Sequence, residues 1–429
     1  MYDVHCTLHV DTSPRLIRSK LRKLAAPFAR HPWRVVLGCV LLIVCGVGAW
    51  LWARPKIQPG FQLRASIPGP GAGFSLALYQ SLGVRLESGH RVSILSNGAV
   101  FDSLERDIRS SKSSLHLLFY IWEKGAASDR ISAALSERAR AGVKCRIVVD
   151  DFGSPDFGRD VEPALARAGC QVRVFRPRSA RNTLARNHRK VAVIDGSVAY
   201  TGGFGIRDNW LGDALQAEQW RDTSVRFTGP AVLEAQQAFA ENWQEAGGEL
   251  LPDTAFPHFP SALAEADRGE GTAAATFLTS SGSSQLTRAE RLSQLLIASA
   301  RSRIWIENAY FVPTPAITEL LCQKAQQGVD VRLMVPGRRS DSKTSFGVQH
   351  IEFGSLLKRG VRVFEYQPTM LHAKTMVVDD QLALIGSINL DPLSLSHLEE
   401  CALVVSDRTV AAALAQDFSK DSLRCEEKH

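Results

Sequence analysis

The stretches ARAGVKCRIVV (residues 139–149) and AQQGVDVRLMV (residues 325–335) agree almost position by position, and they decide the fold class. Each one contains the end of an amphipathic helix, a turn at Gly142 or Gly328, and an apolar run typical of a strand that is buried on both faces. The elements around them repeat as well. They are a helix near 99–112, a strand over 115–121, a helix over 131–142 and a strand over 144–150, matched by a helix over 288–302, a strand over 303–311, a helix over 315–328 and a strand over 329–336. This order predicts two similar α/β sandwich domains that form an internal pseudo-dimer, with the active site at the repeat interface.

The segment VRVF occurs at 172–175 and again at 361–364, and after each copy comes the pattern H-x-K-x4-D. The two motifs consist of His188, Lys190 and Asp195, and of His372, Lys374 and Asp379. Because residues i and i+2 of a strand project from the same face, each histidine and its lysine point together. Two copies meeting across an approximate two-fold axis would place two imidazoles and two ammonium groups around one phosphoryl group. Each aspartate has an odd offset from its histidine and is expected to support structure without touching the substrate.

Further polar residues follow the two motifs. Ser387 and Asn389, in IGSINLD (385–391), are predicted to bind phosphate, although GSxN also has the composition of a turn. The segments WRDTSVRFTGP (220–230) and EECALVVSD (399–407) align Asp222 with Glu400. A carboxylate in each half could accept the second N–H of a histidine and fix its tautomer, and surface residues at strand starts are the alternative interpretation.

With its two H-x-K-x4-D motifs, the sequence resembles the phospholipase D superfamily, and within it the bacterial cardiolipin synthases. The similar segments are NHRKVAVIDGSVAYTGG, WRDTSVRFTGPAV, YFVPTPAI, GVDVRLMVP and YQPTMLHAKTMVVDDQLALIGSINLDPLS, and the resemblance covers about residues 86–425. It implies a two-domain α/β fold, a phosphohistidine intermediate, no metal and no other cofactor, and exchange of the headgroup alcohol of phosphatidylglycerol in phospholipid biosynthesis. It also implies that His188 is the nucleophile and that His372 protonates the leaving group.

The pseudo-symmetry further suggests that the carboxylates pair across the halves, Glu400 with His188 and Asp222 with His372. One departure from the family concerns the tail of the first motif. Gly205 stands where the family usually has asparagine, whereas the second motif keeps Asn389.

The charge of the chain is concentrated at its N-terminus. Of 51 Lys and Arg and 44 Asp and Glu, residues 1–56 hold nine and two, so the remaining 42 basic and 42 acidic residues balance. Bulk charge therefore gives no support for a nucleic-acid-binding body. Val35 to Ala53 is a 19-residue run without a charge, which predicts a transmembrane anchor. Seven Lys or Arg in 15–34 against three in 54–73 predict a single-pass inner-membrane protein with its catalytic body on the periplasmic side.

The predicted organisation has six parts. They are a basic cytoplasmic segment (1–34), the anchor (35–53), a linker (54–85), a first phospholipase D-like domain (86–246), a second linker (247–286) and a second phospholipase D-like domain (287–429). Five of the eight cysteines fall in the body, so a complete disulfide framework is not indicated.

Three functions are compatible with this sequence. The first is a phosphatidyltransferase that makes cardiolipin from phosphatidylglycerol at a membrane. The second is a hydrolase with the same site, acting on phospholipid or, with less support from the anchor and the neutral body, on nucleic acid. The third is a catalytically weak lipid-binding protein, against which both intact motifs argue. The sequence leaves the acceptor alcohol and the oligomeric state open.

Overall fold

The chain divides into two compact units, residues 1–58 and 59–429. The computed structural model describes residues 32–53, 67–177, 185–256, 272–283 and 286–429. In the first unit, helix α1 covers Pro32–Ala53. Among the described residues, no helix is both long enough and apolar enough to cross a membrane. The anchor predicted over 35–53 is thus not confirmed, and it includes residues 35 and 47–53, whose side chains lie outside the description. The predicted basic segment lies outside the described residues up to residue 31.

The second unit is built from two halves with the same succession of strands. The first half contains α2 (Ala72–Leu82), β1 (Glu87–Ser96), α3 (Ala99–Ser110), β2 (Ser114–Phe119), α4 (Ala126–Arg140), β3 (Lys144–Asp150), α5 (Phe157–Asp160), α6 (Glu162–Arg167), β4 (Gln171–Phe175), β5 (Val191–Ile194), β6 (Val198–Gly202), β7 (Thr223–Thr228) and α7 (Val232–Glu245). The second half contains β8 (Ala273–Ser280), α8 (Arg288–Ser299), β9 (Arg303–Asn308), α9 (Pro315–Gln326), β10 (Asp330–Pro336), α10 (Lys343–Lys358), β11 (Arg362–Tyr366), β12 (Lys374–Val378), β13 (Leu382–Gly386), α11 (Pro392–Ser396), β14 (Glu400–Ser406), α12 (Arg408–Ser422) and β15 (Cys425–Glu427).

The strand order makes the internal repeat explicit. The sheet runs β15-β11-β10-β9-β12-β13-β14-β8-β1-β7-β6-β5-β2-β3-β4. Outward from the centre, β1-β7-β6-β5-β2-β3-β4 therefore corresponds strand for strand to β8-β14-β13-β12-β9-β10-β11. Strands β2, β3 and β4 are parallel, as are β9, β10 and β11, and the other neighbours pair antiparallel. The mixed α/β fold with two similar repeats agrees with the sequence prediction.

The two halves share a hydrophobic core. One cluster of buried residues includes Phe239 of α7, Phe418 of α12, Phe227 of β7 and Phe277 of β8, so it draws on both repeats. Two further clusters are centred on the individual halves, one around α3 and α4 and one around α8 and α9, and the latter also includes residues of α2. Burial of apolar surface is the main favourable term in folding, and here the shared cluster also holds the two repeats together.

Two stretches predicted as linkers contain regular structure. Strand β8 lies within 247–286, and it pairs with β14 on one side and β1 on the other at the centre of the sheet. Its sequence AAATFLTS carries no charge, so both of its faces can be buried, and the Pro- and Gly-rich composition around it hid the strand. Within 54–85, helix α2 buries Phe74 and Leu78 against α8. Residues 54–66, 257–271 and 284–285 of the predicted linkers lie outside the described residues.

One disulfide is present in the first half. Cys145 of β3 is bonded to Cys170, just before β4, with their Cα atoms 4.6 Å apart. Cys322, Cys401 and Cys425 of the body are free. The odd number of body cysteines is thus compatible with one bridge, and a complete framework is not formed.

Candidate active site

The backbone of each histidine is held by the opposite half. The N–H of His188 donates to the carbonyl of Glu399 (2.8 Å), and the N–H of His372 donates to the carbonyl of Arg221 (2.6 Å). These bonds belong to two short parallel bridges, Asn187 with Glu399 and Arg221 with Leu371. Since Glu400 and Asp222 come next along those bridging segments, the repeat brings each carboxylate to the histidine of the other half.

The first pair consists of His188 and Glu400. Nδ1 of His188 lies 2.9 Å from Oε1 and 3.1 Å from Oε2 of Glu400, whose side chain is completely buried. Ser394 donates to Oε1 of the same carboxylate (2.6 Å), and the hydroxyl of Ser387 donates to Oε2. With its oxygens occupied in this way, Glu400 holds the His188 ring in one orientation, and Nε2 has no hydrogen-bond partner among the described residues.

The second pair consists of His372 and Asp222. Nδ1 of His372 lies 2.9 Å from Oδ2 of Asp222. The same oxygen accepts a hydrogen bond from Nε1 of Trp210 (2.7 Å), and Oδ1 accepts from the backbone N–H of Thr223 (2.7 Å). The His372 ring also packs beside Trp220, with 5.1 Å between ring centroids. Both predicted carboxylates are therefore within hydrogen-bond distance of the imidazoles expected from the pseudo-symmetry.

The two lysines are buried beside the histidines. Nζ of Lys190 donates to the carbonyl of His188, and Nζ of Lys374 donates to the carbonyl of His372, both at 2.6 Å. Each ammonium also faces an aromatic ring, Lys190 that of Tyr120 at 5.4 Å and Lys374 that of Tyr310 at 5.7 Å. Such contacts stabilise a cation without neutralising it.

Burial changes the proton affinity of both lysines. The pKa of Lys190 is lowered to about 7, mainly through loss of solvation, which Glu400 opposes and the positive charge of Lys374 reinforces. Loss of solvation also lowers the pKa of Lys374 to about 8, with Asp222 and Glu400 opposing. Two cations in one pocket are more easily kept when an anion joins them, so this arrangement suits a phosphodiester.

The environment of both histidines favours the neutral imidazole. Burial is the largest cause that lowers the pKa of His188, and Glu400 opposes it while Lys190 adds to it. Burial also lowers the pKa of His372 to about 3, and the nearby Lys374 ammonium adds to the effect. A neutral imidazole with a carboxylate at Nδ1 has its lone pair at Nε2, which is the form required for attack on phosphorus.

The motif aspartates lie away from the pocket. Asp195 accepts hydrogen bonds from the backbone N–H groups of residues 112–114, and Asp379 accepts from those of residues 301–303. Both residues adopt positive φ angles, 52° and 54°, at the turns that follow β5 and β12. These backbone bonds lower the pKa of both carboxyls against the opposing effect of burial. Asp195 and Asp379 thus tie each β-hairpin to the start of β2 or β9, as expected for structural residues.

Ser387 and Asn389, the two residues predicted to bind phosphate, differ in their hydrogen-bond partners. Ser387 donates to Glu400 and accepts from the backbone N–H of Cys401 (3.0 Å), so its hydroxyl is engaged in positioning the carboxylate. Asn389 is buried, and its Oδ1 has no partner within the described part of the chain. At Gly205, a Cβ atom would lie 2.9 Å from Cβ of Ile121, which explains why the larger asparagine of the family does not occur there.

Several residues of the site were not singled out from the sequence. Ser394 and Trp210 complete the partners of the two carboxylates, and Tyr120 and Tyr310 face the two lysines. Tyr120 directly follows β2, whereas Tyr310 lies two residues after the equivalent strand β9, so the two tyrosines do not occupy matching positions of the repeat. Ser394 and Trp210 occupy matching positions of the two halves, each 22 residues after its motif histidine, so the repeat itself contained a signal for them.

The lowered pKa values of the lysines predict pH-dependent anion binding. As the pH rises through about 7 and about 8, the free site loses the two protons that an anion needs. We expect the affinity for dimethyl phosphate, a diester that does not titrate in this range, to fall at least about tenfold between pH 6.5 and pH 9, with proton uptake on binding. Calorimetric titration in buffers of different ionisation enthalpy measures both quantities. The Lys190→Met variant should lose most of the pH dependence, and a pH-independent affinity of the unmodified protein would contradict the assignment.

Comparisons with known proteins agree with this geometry. A family model described as "Cardiolipin synthase, PLD-like domain" matches residues 104–243 and 295–422, one match in each half. The major cardiolipin synthase ClsA of Bacillus subtilis is 31% identical over 338 residues, which cover 77% of this chain and 69% of that protein. Cardiolipin synthase A of Yersinia pseudotuberculosis is 32% identical over 347 residues, which cover 78% of this chain and 69% of that protein.

Among solved structures, the phosphatidylserine synthase of Haemophilus influenzae matches 83% of this chain and 92% of its own, with a TM-score of 0.62. Its sequence identity is 14%, so this likeness concerns the fold alone. Because the family model covers most of both repeats and the curated relatives extend over two thirds of their own length, the chain belongs to the cardiolipin synthase family of phospholipase D-like enzymes.

Proposed function

We propose that this protein is a phosphatidyltransferase that joins two phosphatidylglycerol molecules into cardiolipin and releases glycerol. The observation that carries the proposal is the symmetric pair of imidazoles, each backed by a carboxylate of the opposite half and flanked by a buried lysine. The curated relatives are named cardiolipin synthases, which supports the choice of substrate. A phospholipase D-type hydrolase would use the same site, with water as the acceptor.

The reaction needs two displacements at one phosphorus atom. In the first, Nε2 of His188 attacks the phosphodiester, the bond from phosphorus to the glycerol oxygen breaks, and His372 gives a proton to the departing glycerol. In the second, His372 takes the proton of the acceptor hydroxyl, the new P–O bond forms, and the P–N bond to His188 breaks. Lys190 and Lys374 stabilise the charge on the phosphoryl oxygens in both steps, and Asn389 contributes its amide.

The order of the histidines follows the family pattern, in which the N-terminal motif supplies the nucleophile. Both free imidazoles are neutral, so either could attack. An anionic diester between the lysines favours the charged form of an imidazole, and this is how His372 acquires the proton that the leaving group needs. Glu400 and Asp222 keep each ring in place while its charge changes.

We also propose that α1 anchors the protein in the inner membrane and that the body faces the periplasm. The supporting observations are the uncharged run 35–53 and the excess of basic residues on its N-terminal side. The disulfide between Cys145 and Cys170 adds independent support, because disulfides persist in oxidising compartments and are rare in a reducing cytoplasm.

Replacement of the histidines should abolish activity as a unit. We expect His188→Ala, His372→Ala and the double variant each to lose at least about 10³-fold in cardiolipin formation, because neither displacement proceeds without both groups. The measurement is the rate of product formation in phosphatidylglycerol vesicles. His350→Ala, a histidine on α10 that pairs with Glu365, serves as the matched control. Near-normal turnover by either single variant would show that the two histidines do not share one site.

The products distinguish the transferase from the hydrolase. Water is the competing acceptor, so a transferase must exclude it or hold the acceptor lipid at high effective concentration. The full chain in phosphatidylglycerol bilayers is expected to yield mostly cardiolipin and glycerol, whereas a chain without residues 1–56, given dispersed short-chain lipid, should shift towards phosphatidic acid. Mass analysis of the lipid extract measures the ratio. Phosphatidic acid as the main product of the full chain at saturating phosphatidylglycerol would establish the hydrolase.

Membrane topology is tested separately. Alkaline phosphatase, fused after His429, acquires activity only where its own disulfides form, so we expect an active fusion if the body is periplasmic. A green fluorescent protein fused at the same residue is the complementary reporter and should stay dark after export. Fluorescence together with an inactive phosphatase fusion would place the body in the cytoplasm.

A further inference from the structure

An ordered loop with three basic residues lies next to the histidine pocket. This basic loop, GRRSDSK (337–343), begins where β10 ends and leads into α10. The N–H of Gly337 donates to the carbonyl of Tyr366 (2.9 Å), and a Cβ atom at Gly337 would lie 2.7 Å from that oxygen. At the other end, Ser342 caps α10 by accepting from the N–H of Ser345 (3.2 Å). Both ends of the loop are therefore fixed to the fold.

A side-chain hydrogen bond connects the basic loop to the surroundings of His372. The hydroxyl of Tyr310 lies 2.9 Å from each carboxylate oxygen of Asp341, in the middle of the loop. The ring of Tyr310 in turn packs 6.1 Å from the ring of His372 and 5.7 Å from Nζ of Lys374. The loop thus lies on the side of the pocket that His372 occupies.

The basic residues of this loop differ in exposure and pairing from the other arginines close to the histidines. Arg186, Arg189 and Arg221 are buried and form ion pairs. By contrast, Arg338, Arg339 and Lys343 are exposed. Within the described residues, the side chains of Arg339 and Lys343 form no hydrogen bond or ion pair, and Arg338 acts electrostatically on Glu426. The loop therefore presents the exposed cations Arg339 and Lys343 on either side of Asp341, the residue that contacts Tyr310.

The proposed reaction brings a second anion close to the histidines. The phosphorus of the donor lipid is attached to His188 while the acceptor phosphatidylglycerol approaches, and the lysines are then occupied by that phosphoryl group. The acceptor carries a phosphodiester of its own, which stays intact and cannot enter the same centre. Its terminal hydroxyl must meet His372, so its phosphate lies on the His372 side, a short glycerol length away.

We propose that Arg339 and Lys343 of the basic loop bind the phosphate of the acceptor phospholipid and so direct its terminal hydroxyl to His372. This inference rests on the proposed function. In the step concerned, the acceptor O–H proton passes to His372, the acceptor oxygen bonds to phosphorus, and the bond between phosphorus and Nε2 of His188 breaks. An arginine and a lysine can both hold a phosphodiester through charge-assisted hydrogen bonds.

A competition between two acceptors tests this assignment. Phosphatidylglycerol vesicles are supplied with butan-1-ol, an acceptor without a phosphate, and the products cardiolipin and phosphatidylbutanol are measured in the same sample. Both arise from one phosphohistidine, so their ratio reports acceptor selection and is independent of donor binding and of the amount of enzyme on the membrane. The Arg339→Ala/Lys343→Ala variant is expected to lower this ratio at least about tenfold.

Two variants serve as controls. The Arg140→Ala/Lys144→Ala variant also removes two positive charges, from the end of α4 and the start of β3 in the first half, where both residues are exposed. It should leave the product ratio unchanged. The charge-conserving Arg339→Lys/Lys343→Arg variant should restore most of the ratio.

Each other result would overturn the inference. An unchanged ratio shows that the loop does not select the acceptor. A proportional loss of both products, together with weaker sedimentation on vesicles, assigns the loop to general attraction to the anionic bilayer surface. An equal fall of the product ratio in the Arg140→Ala/Lys144→Ala control shows that the effect depends only on the net charge of the protein. Complete lack of cardiolipin from the unmodified protein, with phosphatidylbutanol still formed, would refute the proposed function itself.

Discussion

The constraint on which the site depends is the burial of two ammonium groups in one pocket. Lys190 and Lys374 are almost fully removed from water, which lowers the pKa of both, and the charge of Lys374 contributes to the lowered pKa of Lys190. The free-energy cost of burying these two charges is offset by a carbonyl oxygen and a tyrosine ring for each lysine, and by the carboxylates of Glu400 and Asp222. Two ammonium groups and two carboxylates balance each other while the imidazoles are neutral. Replacement of such buried charges by apolar residues is often neutral or stabilising by about 1–4 kcal/mol, so these lysines are best understood as functional.

The charge balance explains why the repeats are joined so closely. A carboxylate from the same half would have satisfied its own histidine and left each half self-sufficient. In this chain, the bridges of Asn187 with Glu399 and Arg221 with Leu371 cross between the halves, and the carboxylates cross with them. Neither half therefore contains a complete histidine and carboxylate pair. The pairing of β1 with β8 and the shared core fix the two halves at the distance that these hydrogen bonds require.

The sequence was informative wherever the two halves repeat. The helices and strands around residues 139–149 and 325–335, the structural use of Asp195 and Asp379, and the partners of His188 and His372 all follow from periodicity and pseudo-symmetry. It was less informative where the halves differ. Strand β8 lies in a stretch of Pro- and Gly-rich composition, and a strand at the centre of a sheet is recognised only once its neighbours are known. Ser387 has the composition expected of a phosphate ligand, yet its hydroxyl is used by Glu400, because a buried carboxylate needs every available donor. The bridge between Cys145 and Cys170 depends on the distance between two strand ends, which spacing along the chain does not reveal.

The same charge balance bears on how the proposed reaction starts. A phosphodiester monoanion that enters a pocket of zero net charge makes it negative, and the uptake of one proton restores neutrality. Where both lysines already carry their protons, the imidazoles are the bases left to take that proton, and Nε2 of His372 lies 3.1 Å from Nζ of Lys374. Binding of the substrate thus supplies the general acid, and the free enzyme does not have to keep a charged histidine in a buried site. Once the first alcohol has taken this proton, His372 is neutral again and can accept a proton from the next alcohol. Whether water or a lipid hydroxyl acts as the acceptor then depends on which one is held beside His372. The surroundings of that histidine, including Tyr310 and Trp220, therefore decide the product more than the two H-x-K-x4-D motifs do.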